Sequence, residues 1–488
     1  MKVLLVNPST GYYTRALFNP LGLVAIGSYL RSIGHEVKLE DRCIHKEKFE
    51  KILDDFSPDL VGVGLMSSRT LKDAIKVSKI AKKRGLPVTW GGAMASMQPE
   101  ILLKEKYVDT IIFSEGEYTF AELIEAIEEK LPFSAVKGLF YKENGKIIQN
   151  EPRPFADLAD FPMSDFSLID VPQYMQSYLG CKRMMYLYSS KGCPCNCAFC
   201  PNPVYHHSCH RKRPNEIVIA EIKYLIENYG LDGVYFSDEL WVTKRSDMLD
   251  FCRRVKEENL HFQFGIQCRV GLFSKEDFDI LYDAGCRWAF FGIESGSKVR
   301  LQKIHKNISF ERILPTFEEL KSKKITTVAS FIIGYPDETE DELRETCDLL
   351  QKIKANLTPV YHFTPLPGTE LYREVVAQGK YKPLTTLKEL LKQIATESLG
   401  QNLSAVPSRD LRVIRSYFHW KSFTRKDAIE SNKDFTFALQ TILSGLNAIS
   451  KKGILMFFHD GFMALHEFLY VFWYSHAYKK IKNKYGLK

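Results

Sequence analysis

Apolar and polar positions along the first third of the chain follow two alternating rhythms. Lys2–Val6 reads as a buried-strand run, and Leu21–Ile33 repeats apolar residues at helical spacing before stopping at Gly34. Val37–Leu39 reads as a short strand and Lys48–Phe56 as a helix closed by Ser57-Pro58. Leu60–Leu65, Pro87–Trp90 and Thr110–Phe113 are further strand patterns, with Leu71–Arg84 helical. Strands alternating with helices predict a parallel sheet covered on both faces over residues 1–135. Such sheets bind ligands beyond the carboxyl ends of their strands, where the topology reverses. Ser67, Ser68 and Arg69, Gly91 and Gly92, and Glu115-Gly116-Glu117 occupy those ends.

Residues 136–185 read as an irregular linker, with a hairpin turn at Asn144-Gly145 and helix-breaking Pro152, Pro154, Pro162 and Pro172. A second strand–helix series over 186–370 places strands at Tyr186–Ser190, Gly233–Ser237, His261–Gln267, Trp288–Ile293, Thr326–Ile333 and Ala355–Phe363. Six units suit an open, partial (β/α)6 barrel of TIM type, whose chemistry is expected at strand carboxyl ends. Over 371–488 the strand signals stop, and Leu387–Leu399, Asp410–Ser422 and Asp434–Ser450 look helical. The fold class is therefore α/β with a helical C-terminal region.

Composition adds limits. The length of 488 residues suits about three domains. Lys and Arg outnumber Asp and Glu by 67 − 59 = 8, a surplus too thin for a nucleic-acid binder. The N-terminus has no signal-peptide pattern, and no run reaches the roughly 18 apolar residues of a spanning helix. Eleven cysteines in such a chain read as reduced, cytoplasmic thiols open to metal or redox chemistry.

Four of those thiols lie within Cys193-Pro-Cys195-Asn-Cys197-Ala-Phe-Cys200, directly after the first strand of the second series. Cys193, Cys197 and Cys200 form C-x3-C-x2-C. Three thiolates can hold three irons of a cubic cluster and leave the fourth open. The competing assignment is a zinc site completed by Cys209, His206, His207 or His210. Cys195 is either a bystander or part of an alternative register.

With Phe199, these cysteines resemble the C-x3-C-x-aromatic-C motif of radical S-adenosylmethionine (SAM) enzymes. Gly292-Ile-Glu-Ser-Gly-Ser297 resembles that family's SAM-binding segment, and Ile333-Gly-Tyr-Pro-Asp-Glu-Thr339 its glycine segment near the adenine. The resemblance implies a [4Fe-4S] cluster on Cys193, Cys197 and Cys200, with SAM chelated at the open iron and cleaved to a 5′-deoxyadenosyl radical. It implies Phe199 and Gly334 near the adenine and Glu294 near the ribose hydroxyls or the ammonium. Ser237 and Glu239 would stand near the methionine amino group, although Ser237-Asp238-Glu239 departs from the family's Gly-Gly-Glu form. Arg269 would pair with the SAM carboxylate.

The first domain resembles the cobalamin-binding, Rossmann-like domain that precedes the radical SAM core in one subclass. The matching pieces are Val3–Pro8, Leu21-Gly-Leu23, Leu30–Val37, Pro58–Gly62, Gly91-Gly92 and Glu115-Gly-Glu117. No G-x-G-x-x-G follows the first strand, which argues against a dinucleotide. The D-x-H-x-x-G motif that supplies a histidine to cobalt in some cobalamin proteins is absent. The expectation is cobalamin (as methylcobalamin) held without a protein histidine, with Ser67, Ser68 or Arg69 facing its lower side and Gly91, Gly92, Glu115 and Gly116 lining its edge.

The implied reaction is methylation of an unactivated carbon. The alternatives are cyclisation or rearrangement without net methylation, and a first domain that has lost cobalamin. The expected partners are a small-molecule or lipid-like substrate and an external one-electron reductant of flavodoxin or ferredoxin type, with no nucleic acid. The aromatic tail Ile454–Tyr478, flanked by lysine pairs, reads either as a terminal helix over the barrel mouth or as a peripheral membrane contact. His459 and His466 within it read as core or surface residues.

Overall fold

The computed structural model describes residues 1–10, 18–45, 47–392, 400–424 and 475–487. The helix expected at Asp434–Ser450, His459, His466 and all but the last residues of the aromatic tail lie outside them.

The first sheet has strand order β2-β1-β3-β4-β5-β6-β7. Its parallel members are β1 (Lys2–Asn7), β2 (Glu36–Asp41), β3 (Leu60–Gly64), β4 (Val88–Gly91) and β5 (Thr110–Ile112). β1, β3, β4 and β5 are buried on both faces, which is why their sequences are largely apolar, whereas the edge strand β2 alternates charged and apolar residues. Leu4, Val6, Val61 and Val63 pack into one helix-covered core, and Val3, Leu5, Val24 and Leu123 into the other. The topology reverses between β1 and β3, so the loop after β3 borders the crevice where such sheets bind ligands.

The stretch read as linker contributes strands. β6 (Leu139–Glu143) and β7 (Lys146–Gln149) form the hairpin signalled by Asn144-Gly145 and extend the first sheet antiparallel from β5. Both central turn residues have positive φ, 51° and 76°. β8 (Gln176–Tyr178) pairs antiparallel with β9 (Cys181–Leu187) at the edge of the second sheet. β9 thus starts earlier than its apolar run, because Asp232 accepts from the backbone N–H groups of the exposed Lys182 and Arg183 at 2.8 and 2.7 Å.

After β9 come the two-residue strands β10 (Ser190–Lys191) and β11 (Arg211–Lys212), then β12 (Gly233–Phe236), β13 (Gln263–Cys268), β14 (Cys286–Glu294), β15 (Thr326–Ile333) and β16 (Val360–His362). The second sheet runs β16-β15-β14-β13-β12-β9-β8, six parallel strands and one antiparallel edge, curled as a half barrel. β16 is shorter than expected: Pro359 donates no N–H, and Leu357 makes only an isolated bridge to Val328. Phe236, Phe264, Phe291 and Phe331 face the helices. Among the described residues, no helix is long and apolar enough to cross a membrane.

Candidate active site

The cysteine loop is pinned at its base by antiparallel pairing of β10 with β11. Gly192, at φ +81°, opens the loop, and a Cβ there would overlap the carbonyl of Cys209. Inside the loop, Cys200 N–H donates to Cys197 O at 3.0 Å and Asn202 Nδ2 to Cys193 O at 2.9 Å. Ala198 joins it to the rest of the barrel: its N–H reaches Ile304 O, and its carbonyl accepts from Leu371 N–H, both at 3.0 Å. Cys197 is buried, while Cys193, Cys195 and Cys200 are half-buried.

Two cations face this loop. Arg269, just beyond β13, donates to Cys195 Sγ and to the carbonyls of Lys306 and Asn307, each at 2.5 Å. Lys306 Nζ donates to Glu294 Oε1 at 3.0 Å, with both side chains largely buried. Glu294 closes β14 in the left-handed region at φ +72°, and a Cβ on Gly292 would collide with its carboxylate. Burial pushes the Cys200 thiol up to about 12. It also raises Cys197, with Lys306 and Arg269 acting in the opposite direction. Soft thiols on one loop, beside fixed positive charge, fit an anionic iron–sulfur cluster whose binding displaces their protons.

Two of the four extra donors of the zinc alternative are engaged elsewhere. His206 lies between Glu115 and Glu239, and His210 contacts Leu240 O at 2.9 Å and Thr243 Oγ1 at 3.3 Å. Among the described residues, no three His, Cys, Asp or Glu side chains close around a single ion.

Phe199 packs edge-on against Tyr335 with ring centroids 5.9 Å apart. Tyr335 is fully buried, and its hydroxyl has no hydrogen-bond partner among the described residues. It belongs to the turn after β15, where Gly334, at φ +81°, donates its N–H to Glu338 Oε2 at 2.5 Å. Arg300 holds the same turn through Pro336 O at 2.9 Å and Glu342 at 2.7 Å. Beyond β12, Ser237 is exposed and its N–H reaches Leu187 O at 2.8 Å. Glu239 Oε2 accepts from Gly192 N–H at 3.0 Å. Asp238 between them is buried under Ser189 and Ser190, and burial pushes it up to about 6.

The first domain presents a second edge to this region. Glu115 pairs with Arg211, and Glu117 with Lys191 at 2.5 Å. Burial opposes ionisation of Glu115, but His206, Lys191 and Arg211 outweigh it and hold the carboxyl down to about 2. At the topology switch, Met66 is 66% exposed, an uncovered apolar side chain next to half-buried Ser67, Ser68 and Arg69. Gly92 serves close packing, since a Cβ there would lie 2.9 Å from Leu65 O, and buried Gly116 sits against Ile26. Gly91 N–H and C=O continue the ladder, its carbonyl accepting from Leu65 N–H at 2.7 Å. Among the described residues, this exposed methionine beside the strand ends at the switch point suits contact with an apolar ligand face. Sequence reasoning missed Lys306 and Arg211 and offered His206 only as a zinc donor, because their importance comes from partners far away in the chain.

Comparisons with known proteins agree with this geometry. The Radical SAM superfamily profile matches residues 187–350, and the B12 binding domain profile matches residues 14–124. An uncharacterized methyltransferase of Pyrococcus horikoshii is 31% identical over 451 residues, covering 88% of this chain and 97% of the relative. The anaerobic magnesium-protoporphyrin IX monomethyl ester cyclase of Rubrivivax gelatinosus is 23% identical over 391 residues, covering 77% and 70%. The radical SAM methyltransferase TsrM of Kitasatospora setae, solved with cobalamin and a [4Fe-4S] cluster, superposes with TM-score 0.66 at 19% identity, covering 77% of this chain and 75% of that one. The chain belongs to the radical SAM superfamily, as an enzyme of the branch that joins a B12-binding domain to the radical SAM core, with a [4Fe-4S] cluster, SAM and cobalamin as its cofactors.

Proposed function

We propose that the enzyme methylates an unactivated carbon of a small, largely uncharged molecule. When bound, the cluster and SAM supply the deoxyadenosyl radical and cobalamin supplies the methyl group. Cys193, Cys197 and Cys200 hold three irons, and the arrangement of Arg269 and Lys306 balances the charge of those thiolates. Glu294 and Glu239 face the polar groups of SAM, Arg269 is near enough to the loop to meet its carboxylate, and Phe199 with Gly334 borders the adenine. Ser67, Ser68, Arg69, Gly91, Gly92, Glu115 and Gly116 form the cobalamin side. The division of labour is a cobalamin domain over 1–135 that the hairpin β6–β7 extends, a segment up to 185 that ends by adding β8 to the second sheet, the radical SAM barrel over 186–370 and a helical region over 371–488.

The observation that carries this reading is the cysteine loop at the carboxyl end of the barrel's first strand, set against Arg269, Lys306 and Glu294. The inner face of the barrel supports an uncharged substrate. Gln267 lies opposite Phe290, and Phe290 opposite Val328, on central strands, yet all three keep part of their surface open. An external flavodoxin- or ferredoxin-type protein supplies electrons. Exposed Lys479 and Lys480 support a peripheral contact with an anionic membrane, as a lipid-like substrate would require.

Anaerobic reconstitution should give about four irons, four sulfides and one corrin per chain. Product mass should rise by one CH2. Cys197→Ala should lose iron and deoxyadenosine formation together, and a Cys197→Ala enzyme that still cleaves SAM overturns the assignment. The similarity to a cyclase favours a second reading, ring closure without methyl transfer. A turned-over product lacking the added CH2 selects it.

A further inference from the structure

His206 ends a short helix, Asn202–His206, at the exit of the cysteine loop, and is 8% exposed. A carboxylate stands on either side of its ring. Nδ1 lies 3.5 Å from Glu115 Oε1 of the first domain, and Nε2 lies 3.6 Å from Glu239 Oε1 beyond β12. The other oxygen of Glu239 takes the N–H of Gly192, the residue before Cys193. One carboxylate therefore holds the entrance of the cysteine loop by a hydrogen bond and stands at ion-pair distance from the histidine at its exit, whose Nδ1 has no hydrogen-bond partner among the described residues.

The two carboxylates favour charge on this imidazole, against two nearby cations that compete for Glu115. Arg211 forks onto Glu115 and stacks over Phe155 at 4.4 Å, and Lys191 pairs with Glu117 nearby. The rings of Tyr205 and Phe155 complete the packing, at 4.8 and 6.1 Å from the imidazole centroid. Among the described residues the charged groups facing His206 are thus Glu115 from the first domain and Glu239 from the loop beyond β12, with Arg211 of β11 and Lys191 of β10 acting on Glu115. A neutral imidazole has one N–H and can serve one carboxylate, whereas an imidazolium serves both. Burial works against the charged form, but the two carboxylates outweigh it, so the His206 pKa is raised.

We propose that His206, as an imidazolium bridging Glu115 and Glu239, is a positioning residue that locks the cysteine loop to the first domain and holds Glu239 ready for SAM. This inference rests on the assignment of Glu239 to the SAM side of the site. Because the folded pKa lies above the unfolded value of 6.5, the lock is fully present below about pH 6.5 and is lost as pH rises through the folded value.

The test uses the full-length, cluster-loaded protein. Hydrogen exchange of segment 192–206, corrected for intrinsic rates, and the affinity for S-adenosylhomocysteine are measured on both sides of neutral pH. In the wild type both should weaken as pH rises. His206→Gln should exchange about tenfold faster and bind several-fold more weakly at the lower pH, with little further change on raising it. If His206→Gln fails to retain iron, His206→Lys decides: a permanent cation should keep protection at the higher pH. Wild-type protection and affinity in His206→Gln, or a wild-type pH fall in His206→Lys, overturns the proposal. A His206-dependent loop in an enzyme that makes no deoxyadenosine leaves the lock standing and rejects the proposed function instead.

Discussion

Arg213 and Glu221 show how single side chains fix the base of the cysteine loop. They are 2% and 1% exposed and meet through two hydrogen bonds of 2.6 and 2.9 Å. Glu221 Oε1 also accepts from Ser164 N–H at 2.6 Å, and Arg213 reaches Tyr188 O at 3.1 Å while its guanidinium lies 4.5 Å from the Tyr188 ring. The pair thus ties the segment before β9 to the chain on both sides of the loop. A buried ion pair is a poor source of net stability, but removing one partner leaves the other charge stranded in a dry place. Glu221→Gln should therefore lose about 3–5 kcal/mol, read as a fall in the urea midpoint with the slope unchanged. Replacing both residues by methionine should recover a large part of that loss. A double variant no better than the single one would show that the pair contributes more than charge compensation.

At the scale of elements, the repeating strands were legible because a parallel strand buried on both faces is an apolar run, and each helix between them has a period the eye can count. Lys2–Val6 and Thr326–Ile333 carry that signal and form β1 and β15 where expected. Short edges such as β8 carry none: Gln176-Ser-Tyr178 is polar, and only its partner β9 makes it a strand. The cysteine loop was legible from spacing, while Lys306 and His206 were not, since their roles come from Glu294, Glu115 and Glu239 brought in by the fold. The turn after β15 lies between these cases. Its Gly334 could be read from sequence, but the burial of Glu338 at 0% exposure could not. Burial pushes that carboxyl up from 4.5 to about 7, against the pull of Gly334 N–H and Arg300. A carboxyl raised in the folded state contributes stability below about pH 4.5 that is lost as pH rises through about 7. Glu338→Gln, which cannot ionise, should flatten that decline, so its urea midpoint relative to wild type should be higher above neutrality than in mild acid. Parallel midpoints across this range would mean Glu338 ionises without cost.

On the scale of the whole molecule, the chain does not finish one sheet before serving the other. After the barrel it returns to the first domain, where Leu390, fully buried, packs with Leu384, Leu387 and Leu391 into the core that holds Leu71 and Val63. The helix Leu387–Lys392 lies against the turn Ser68–Thr70, beside the strand ends proposed above for cobalamin. The chain then goes back to the barrel, where Leu411, Ile414, Ile481 and Tyr485 join the helix-covered core, with Tyr485 donating to Asp410 at 3.1 Å. Together with the ionic seam of Glu115, Glu117, Lys191 and Arg211, this path makes each sheet part of the other's support. Cores that share a strap should melt together, which a calorimetric scan would record as one transition. Leu390→Ala removes the buried anchor and should cost about 2–5 kcal/mol by the loss of apolar burial and the cavity left behind. Leu390→Asp places a charge in the same core, so the first domain should unfold in a separate, earlier step while the barrel retains its midpoint. A single, uniformly lowered transition in Leu390→Asp would instead assign the coupling to the ionic seam, which high salt would then weaken. The strap touches Ser68–Thr70, so under the proposed cobalamin site corrin retention should fall in step with loss of the Leu390 contact.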